Sequence, residues 1–241
     1  RGVVLWGASA AFLIKSRIGT DAEGDTALPN GEDGVLVRDS LNCLVGDTSE
    51  GDGNVISGNT ANGVRIESSA GDCHDITVQG NYIGVNAAGD AAVANGLDGV
   101  NIFQAHDNTI GLRTTQGANV ISGNGRFGVH IQQTESIDNE VKGNFIGTSA
   151  DGMSAIPNVE SGVCLSSAPS NAVGHLLPSG GNVISGNTGS GVYILNAESQ
   201  NNDVVNNIIG LNADGTAALP NGLHGVFILD ASSNNIGSAD S

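Results

Sequence analysis

The sequence predicts an all-β solenoid, a right-handed parallel β-helix with three short strands per coil and about seven to eight coils. Three observations lead there. A six-residue string recurs three times, a glycine-valine motif recurs eight times, and aromatic residues make up only 3% of the chain. An ordinary globular core draws on large rings, whereas a stack of repeats fills its core with small aliphatics.

The string NVISGN occupies 54–59, 119–124 and 182–187. Between the copies stand NYIGVN at 81–86, NFIGTS at 144–149 and, last, NIIGLN at 207–212, with SRIGTD at 16–21 as a degraded early copy. The motif Gly-Val-x-aliphatic starts at Gly2, Gly34, Gly63, Gly99, Gly128, Gly162, Gly191 and Gly225. Its spacings are 32, 29, 36, 29, 34, 29 and 34, so short and long units alternate. A third run follows an Asn-like position: Asn108–Ile110, Asn139–Val141, Asn171–Val173, Asn202–Val204 and Asn234–Ile236. Alternating apolar and polar residues between Gly, Asn, Ser and Asp read as strands. Three strands per unit, repeated in order, make one coil, and parallel pairing sets neighbouring coils about 4.8 Å apart.

The inward rows follow from the alternation. The first strand contributes Val35, Val64, Val100, Val129, Val163, Val192 and Val226, with Val37, Ile66, Ile102, Ile131, Leu165, Ile194 and Ile228 beside them. The third contributes Ile18, Ile56, Ile83, Ile121, Ile146, Ile184 and Ile209. Two asparagine columns belong at turns, where each amide bonds its equivalent one coil on. One is Asn54, Asn81, Asn119, Asn144, Asn182 and Asn207; the other is Asn59, Asn86, Asn124, Asn187 and Asn212. Long units carry a loop after the third strand, at 19–30, 84–95, 147–158 and 210–221; short units carry one between the second and third.

The formal net charge is −17, with 8 Lys and Arg against 25 Asp and Glu. That balance excludes nucleic acid and an anionic membrane surface as partners, because both need a basic footprint. No run is long enough to span a membrane, and no signal peptide is legible. Three cysteines are too few for a disulfide framework, although Cys43 and Cys73 fall near one turn of neighbouring coils, about three residues out of register. Cys164 points outward in the first strand and stays free.

These units resemble the right-handed β-helix repeat proteins of the pectate-lyase-like superfamily, and more closely the NVISGN/NxIG-type repeats of bacterial secreted or surface proteins. The resemblance covers essentially the whole chain. It implies a fold shared by lyases, hydrolases, epimerases, adhesins and inert spacers, and an extracellular or cell-surface location. Polysaccharide-active members carry their site on the outer face of the first strand. In this chain Arg65, Glu67, Asn101 and His130 fall there, with Arg65 suited to a uronate carboxylate and His130 or Glu67 to a base. Trp6, Phe103, Tyr193 and Phe227 are the binding candidates on the same strip. Asp-Pro-His, Asn-Thr-Asp and Gly-His-Gly signatures of the enzymes are missing.

For metal, Asp21, Glu23 and Asp25 share one loop and Asp47, Glu50 and Asp52 another; oxygen ligands at alternate positions suit Ca2+. Equivalent loops keep only Asp151 and Asp214, so solvated turns are expected and no cofactor. The five histidines occupy different places in the repeat, which leaves no zinc column. Residues 1–241 read as one solenoid, a segment of a longer repeat protein, since neither end carries a cap. The expected role is a non-enzymatic structural, spacer or adhesive solenoid, joined to neighbouring repeats or copies. The alternative is a polysaccharide lyase or epimerase, or a carbohydrate-binding module, working on the first-strand face.

Overall fold

The computed structural model describes residues 1–48, 53–69, 72–112, 117–176 and 180–237. The chain winds as a solenoid of three parallel sheets with eight, eight and seven strands, each strand pairing with the one three further along the chain. We number the coils 1 to 8 from each first-sheet strand. The first sheet stacks Val3–Trp6, Val35–Arg38, Val64–Glu67, Val100–Phe103, Val129–Gln132, Val163–Ser166, Val192–Leu195 and Val226–Leu229. The second sheet runs from Phe12–Leu13 to Asn235–Ile236, the third from Arg17–Ile18 to Ile208–Ile209. Among the described residues no helix is long and apolar enough to cross a membrane.

The Val and Ile rows meet in register, Val100 on Val64 and Val129, and Ile102 on Ile66 and Ile131. As far as Val192 and Ile194 they form one continuous buried cluster with the second-sheet residues Val45, Val78, Ile110, Val141, Val173 and Val204. In coil 8 Val226 is partly buried, and the Ile228 expected in the inward row is 37% exposed. Each fully buried aliphatic contributes about 1.5–3 kcal/mol, so the rows dominate stability.

Asparagine ladders satisfy the polar groups that the turns bury. Asn54, Asn81, Asn119, Asn144, Asn182 and Asn207 form one, each Nδ2 donating to the next Oδ1 at 2.8–3.0 Å. The second differs from the sequence expectation. It runs Asn30, Asn59, Asn95, Asn124, Asn158, Asn187 and Asn221. Asn86 and Asn212 are not in it; their Oδ1 atoms accept N–H groups within their own loops. The chain leaves the coil after Gly84 or Gly210 and regains the column only at the far end of the loop.

The alternation of NVISGN with N-x-I-G has a physical cause. In short coils the Ser hydroxyl, at 57, 122 and 185, donates to a carbonyl one coil on, at Val85, Thr148 and Leu211. The same oxygen accepts the N–H of Gly84, Gly147 or Gly210. The bases of the last three loops are thereby each pinned to the short coil before them. The loops touch one another across two coils, the N–H groups of Ala87, Ala150 and Ala213 donating to the carbonyls of Gly24, Gly89 and Gly152. They also help cover the outward side of the third sheet, where Tyr82 and Phe145 pack on Val85, Val120 and Ile156.

Candidate functional site

The outer face of the first sheet carries two rows held by the strand register. One is Val4, Leu36, Arg65, Asn101, His130, Cys164, Tyr193 and Phe227; the other is Trp6, Arg38, Glu67, Phe103, Gln132, Ser166, Leu195 and Leu229. All four sequence-predicted catalytic candidates lie on this face, with Arg65, Asn101 and His130 consecutive in one row. Although they point outward, five of these positions are closed to solvent. Leu36, Glu67, Asn101, His130 and Cys164 are buried. Asp98 and Phe127, in the segments that lead into the strands, fold back over the row and account for Asn101 and His130.

Two clusters result. In coils 2 to 4, Glu67 is held by Arg38 and Arg65 together. Arg38 lies over the Trp6 ring at 5.2 Å and Arg65 over Phe103 at 5.6 Å. Arg65 and Glu67 are therefore engaged with each other. In coils 4 and 5, Asp98 Oδ2 accepts from Asn101 Nδ2 at 2.8 Å and lies 3.2 Å from His130 Nδ1. Phe127 tilts against His130 at 4.8 Å, and Arg126 reaches Asp98 at 3.9 Å. Sequence reasoning missed Asp98. It stands three residues before Asn101, on the opposite face by strand alternation, and only the bend at Gly99 brings it back.

The four aromatic candidates divide between the ends and the middle. Trp6 is 67% exposed in coil 1, and Phe103 is half-buried beneath Arg65. Tyr193 and Phe227 stack at 5.2 Å with 12° between their planes, and His224 stacks on Phe227 at 4.9 Å.

Elsewhere, Asp21 accepts the N–H groups of Gly24 and Asp25. The Asp25 N–H bond above all holds its carboxyl below the usual range. Neutral Asn86 and Asn212 do the same work in their loops, so the turn itself calls for no cation. Glu23, Asp25 and Asp47 complete no metal cluster among the described residues; Glu50 and Asp52 lie outside them. Cys43, Cys73 and Cys164 are free thiols, all buried. Burial pushes Cys73 up to about 11 and raises Cys164 further. Leu41 pairs with His74, which sets Cys43 beside Ile76 rather than Cys73.

The expectation that no two histidines share a column is wrong. His74 and His106 pair in register and stack at 5.3 Å. His106 bonds Asp107 at 2.7 Å and Asp72 at 2.8 Å, while His74 bonds Asp75 at 2.7 Å. The Asp107 bond above all raises the His106 pKa.

No protein-family model matches the chain, and neither does any curated protein. Among solved structures, a single mutant of the periplasmic alginate epimerase AlgG is similar at a TM-score of 0.53 and 15% identity. The likeness covers 97% of this chain and 61% of AlgG, so the chain spans about three fifths of that protein's length. An AlgG double mutant over the same shares gives 0.39 at 14% identity. QnrB1, a plasmid-mediated fluoroquinolone resistance protein, gives 0.23 at 12% over 90% of this chain and 89% of its own. Those two weaker likenesses carry no weight. The first, at its low identity, speaks to fold alone, and the fold of this chain is the right-handed parallel β-helix.

Proposed function

We propose that this chain is a non-enzymatic, extracellular adhesive solenoid that holds polysaccharide along the outer face of its first sheet. The ring stack of Tyr193, Phe227 and His224 carries the reading. Stacked on one another, the rings give the sheet a fixed apolar ridge against which the C–H groups of a sugar can pack, and little side-chain entropy is lost on contact. Trp6 stands at the other end of the same strip. Seven coil rises of about 4.8 Å separate coil 1 from coil 8, roughly 34 Å, which suits a chain of sugars rather than one. Neighbouring repeats or copies are its structural partners in this reading, with the solenoid as spacer.

A glycan array that includes alginate, run beside an assay for released or altered sugar, tests this. The wild type is expected to be retained on at least one polysaccharide without product. Retention should weaken at least tenfold when Tyr193→Ala and Phe227→Ala are combined. Retention that survives the double substitution removes the ring platform, and no retention on any glycan removes the reading. A second reading, a lyase or epimerase acting on an acidic polysaccharide, is favoured by the Asp98–His130 pair. Product formation abolished by His130→Gln would put it in place of the first.

A further inference from the structure

We infer that Asp98, Asn101 and His130 form one hydroxyl-accepting subsite, in which Asp98 is a positioning residue that turns the His130 Nε2 lone pair toward solvent. The ligand class rests on the glycan-binding reading; the state of the imidazole rests on geometry alone.

Asp98 is buried, and its Oδ2 faces both Asn101 Nδ2 and His130 Nδ1. Its Oδ1 accepts the Phe127 N–H at 3.3 Å. Asn101 Nδ2 also lies 3.5 Å from His130 Nδ1, but its shorter bond is to Asp98 Oδ2. An ionised carboxylate only accepts, so the imidazole nitrogen turned to it carries the proton. In the neutral ring Nε2 is then the acceptor. That atom has no hydrogen-bond partner among the described residues. It is also not a buried orphan, because among the described residues the one buried side-chain polar atom without a partner is Asn101 Oδ1. His130 Nε2 therefore meets solvent through the 8% of its side chain that is exposed.

Asn101 is fixed by the same carboxylate. Turning its amide over would set a carbonyl against Asp98, so Nδ2 stays on Asp98 and Oδ1 stays unpaired. Native proteins rarely leave a buried acceptor in that state. Asn101 and His130 are register neighbours, so the acceptor that the subsite turns to solvent is His130 Nε2, with Asn101 Oδ1, which solvent does not reach, on the adjacent coil. The complement of Nε2 is a ligand bearing a hydroxyl donor. A cationic donor is disfavoured by Arg126, already 3.9 Å from Asp98. Phe127, buried between His130 and Arg126, fixes the plane of the imidazole.

Nitrogen-15 spectra of histidine-labelled, unliganded protein read the tautomer directly. The expected pattern is protonated Nδ1 and bare Nε2 at His130, scrambled by Asp98→Ala. Titration with alginate oligosaccharide should then move Nε2 and leave Nδ1 in place, and Asn101→Ala should weaken that binding about tenfold with the Tyr193–Phe227 stack intact. A wild-type ring protonated at Nε2 overturns the inference without recourse to any variant. Oligosaccharide that binds in a manner sensitive to Tyr193→Ala, yet leaves Nε2 unmoved, overturns the subsite and spares the glycan reading. Oligosaccharide that does not bind at all removes the hydroxyl assignment, while the tautomer pattern still decides the role of Asp98.

Discussion

Gly84 shows how much one repeat position carries. Its φ is +86°, and an added methyl group would overlap Asn124 Oδ1 and the Ser122 carbonyl. Neither neighbour can give, since both belong to the hydrogen-bonded turn of the next coil. A side chain in the left-handed region costs about 1–2 kcal/mol, and overpacking adds about 1–3. Gly84→Ala should therefore lose about 2–5 kcal/mol in urea unfolding. Gly210 holds the same motif position at φ +79° with nothing near its Cβ, so Gly210→Ala should show only the backbone part. Asn119 makes the complementary case. Its Nδ2 donates to Asn144 Oδ1 and the Val78 carbonyl, both at 2.8 Å, and its Oδ1 accepts from Asn81. Asn119→Asp keeps the shape but points a carboxylate at two oxygens. We expect a loss of about 3–5 kcal/mol at neutral pH, shrinking in acid as the carboxyl regains a proton. Denaturation at the two pH values measures it.

Among elements, the turn between the first and second sheets holds the titrating device of the solenoid. His106 is bonded to Asp107 and Asp72, with His74 stacked beside it in the preceding coil and Asp75 on His74. Because the folded pKa of His106 lies above its unfolded value of about 6.5, its stabilisation is complete below that value. It is lost as pH rises through the raised folded value. Unfolding free energy should fall across that window in the wild type, and fall less in His106→Gln; a series of urea curves from about pH 5 to about pH 9 checks the difference. The loops respond oppositely. Asp21 and Asp151 are held below the ordinary carboxylate value, Asp21 chiefly by the Asp25 N–H and Asp151 by the Ser149 hydroxyl. Their contribution is present above the unfolded pKa and lost as pH falls through the folded one. Acid should loosen the loops at 19–28 and 147–156 while Asn86 and Asn212 keep theirs.

Over the whole molecule, period-two alternation and the recurrence of G-V-x-aliphatic determined the three sheets, their register and the inward rows. Those follow from strand geometry, in which every second side chain points the same way and identical coils stack like on like. The first-strand face was legible for the same reason, and Arg65, Asn101 and His130 do lie side by side on it. What lay beyond the sequence is set by turns. His106 is seven residues after Gly99 and His74 eleven after Gly63, so unequal turn lengths hid a column that strand pairing makes plain. The loops carried Asn86 and Asn212 away from the asparagine ladder and returned Asn95 and Asn221 to it. Asp98 belongs to the same class, since a bend at Gly99 sends it over the face that alternation denies it. A repeat written in the sequence fixes what each strand presents; only the folded path of the connections decides what is laid across it, because turn length changes register without changing pattern.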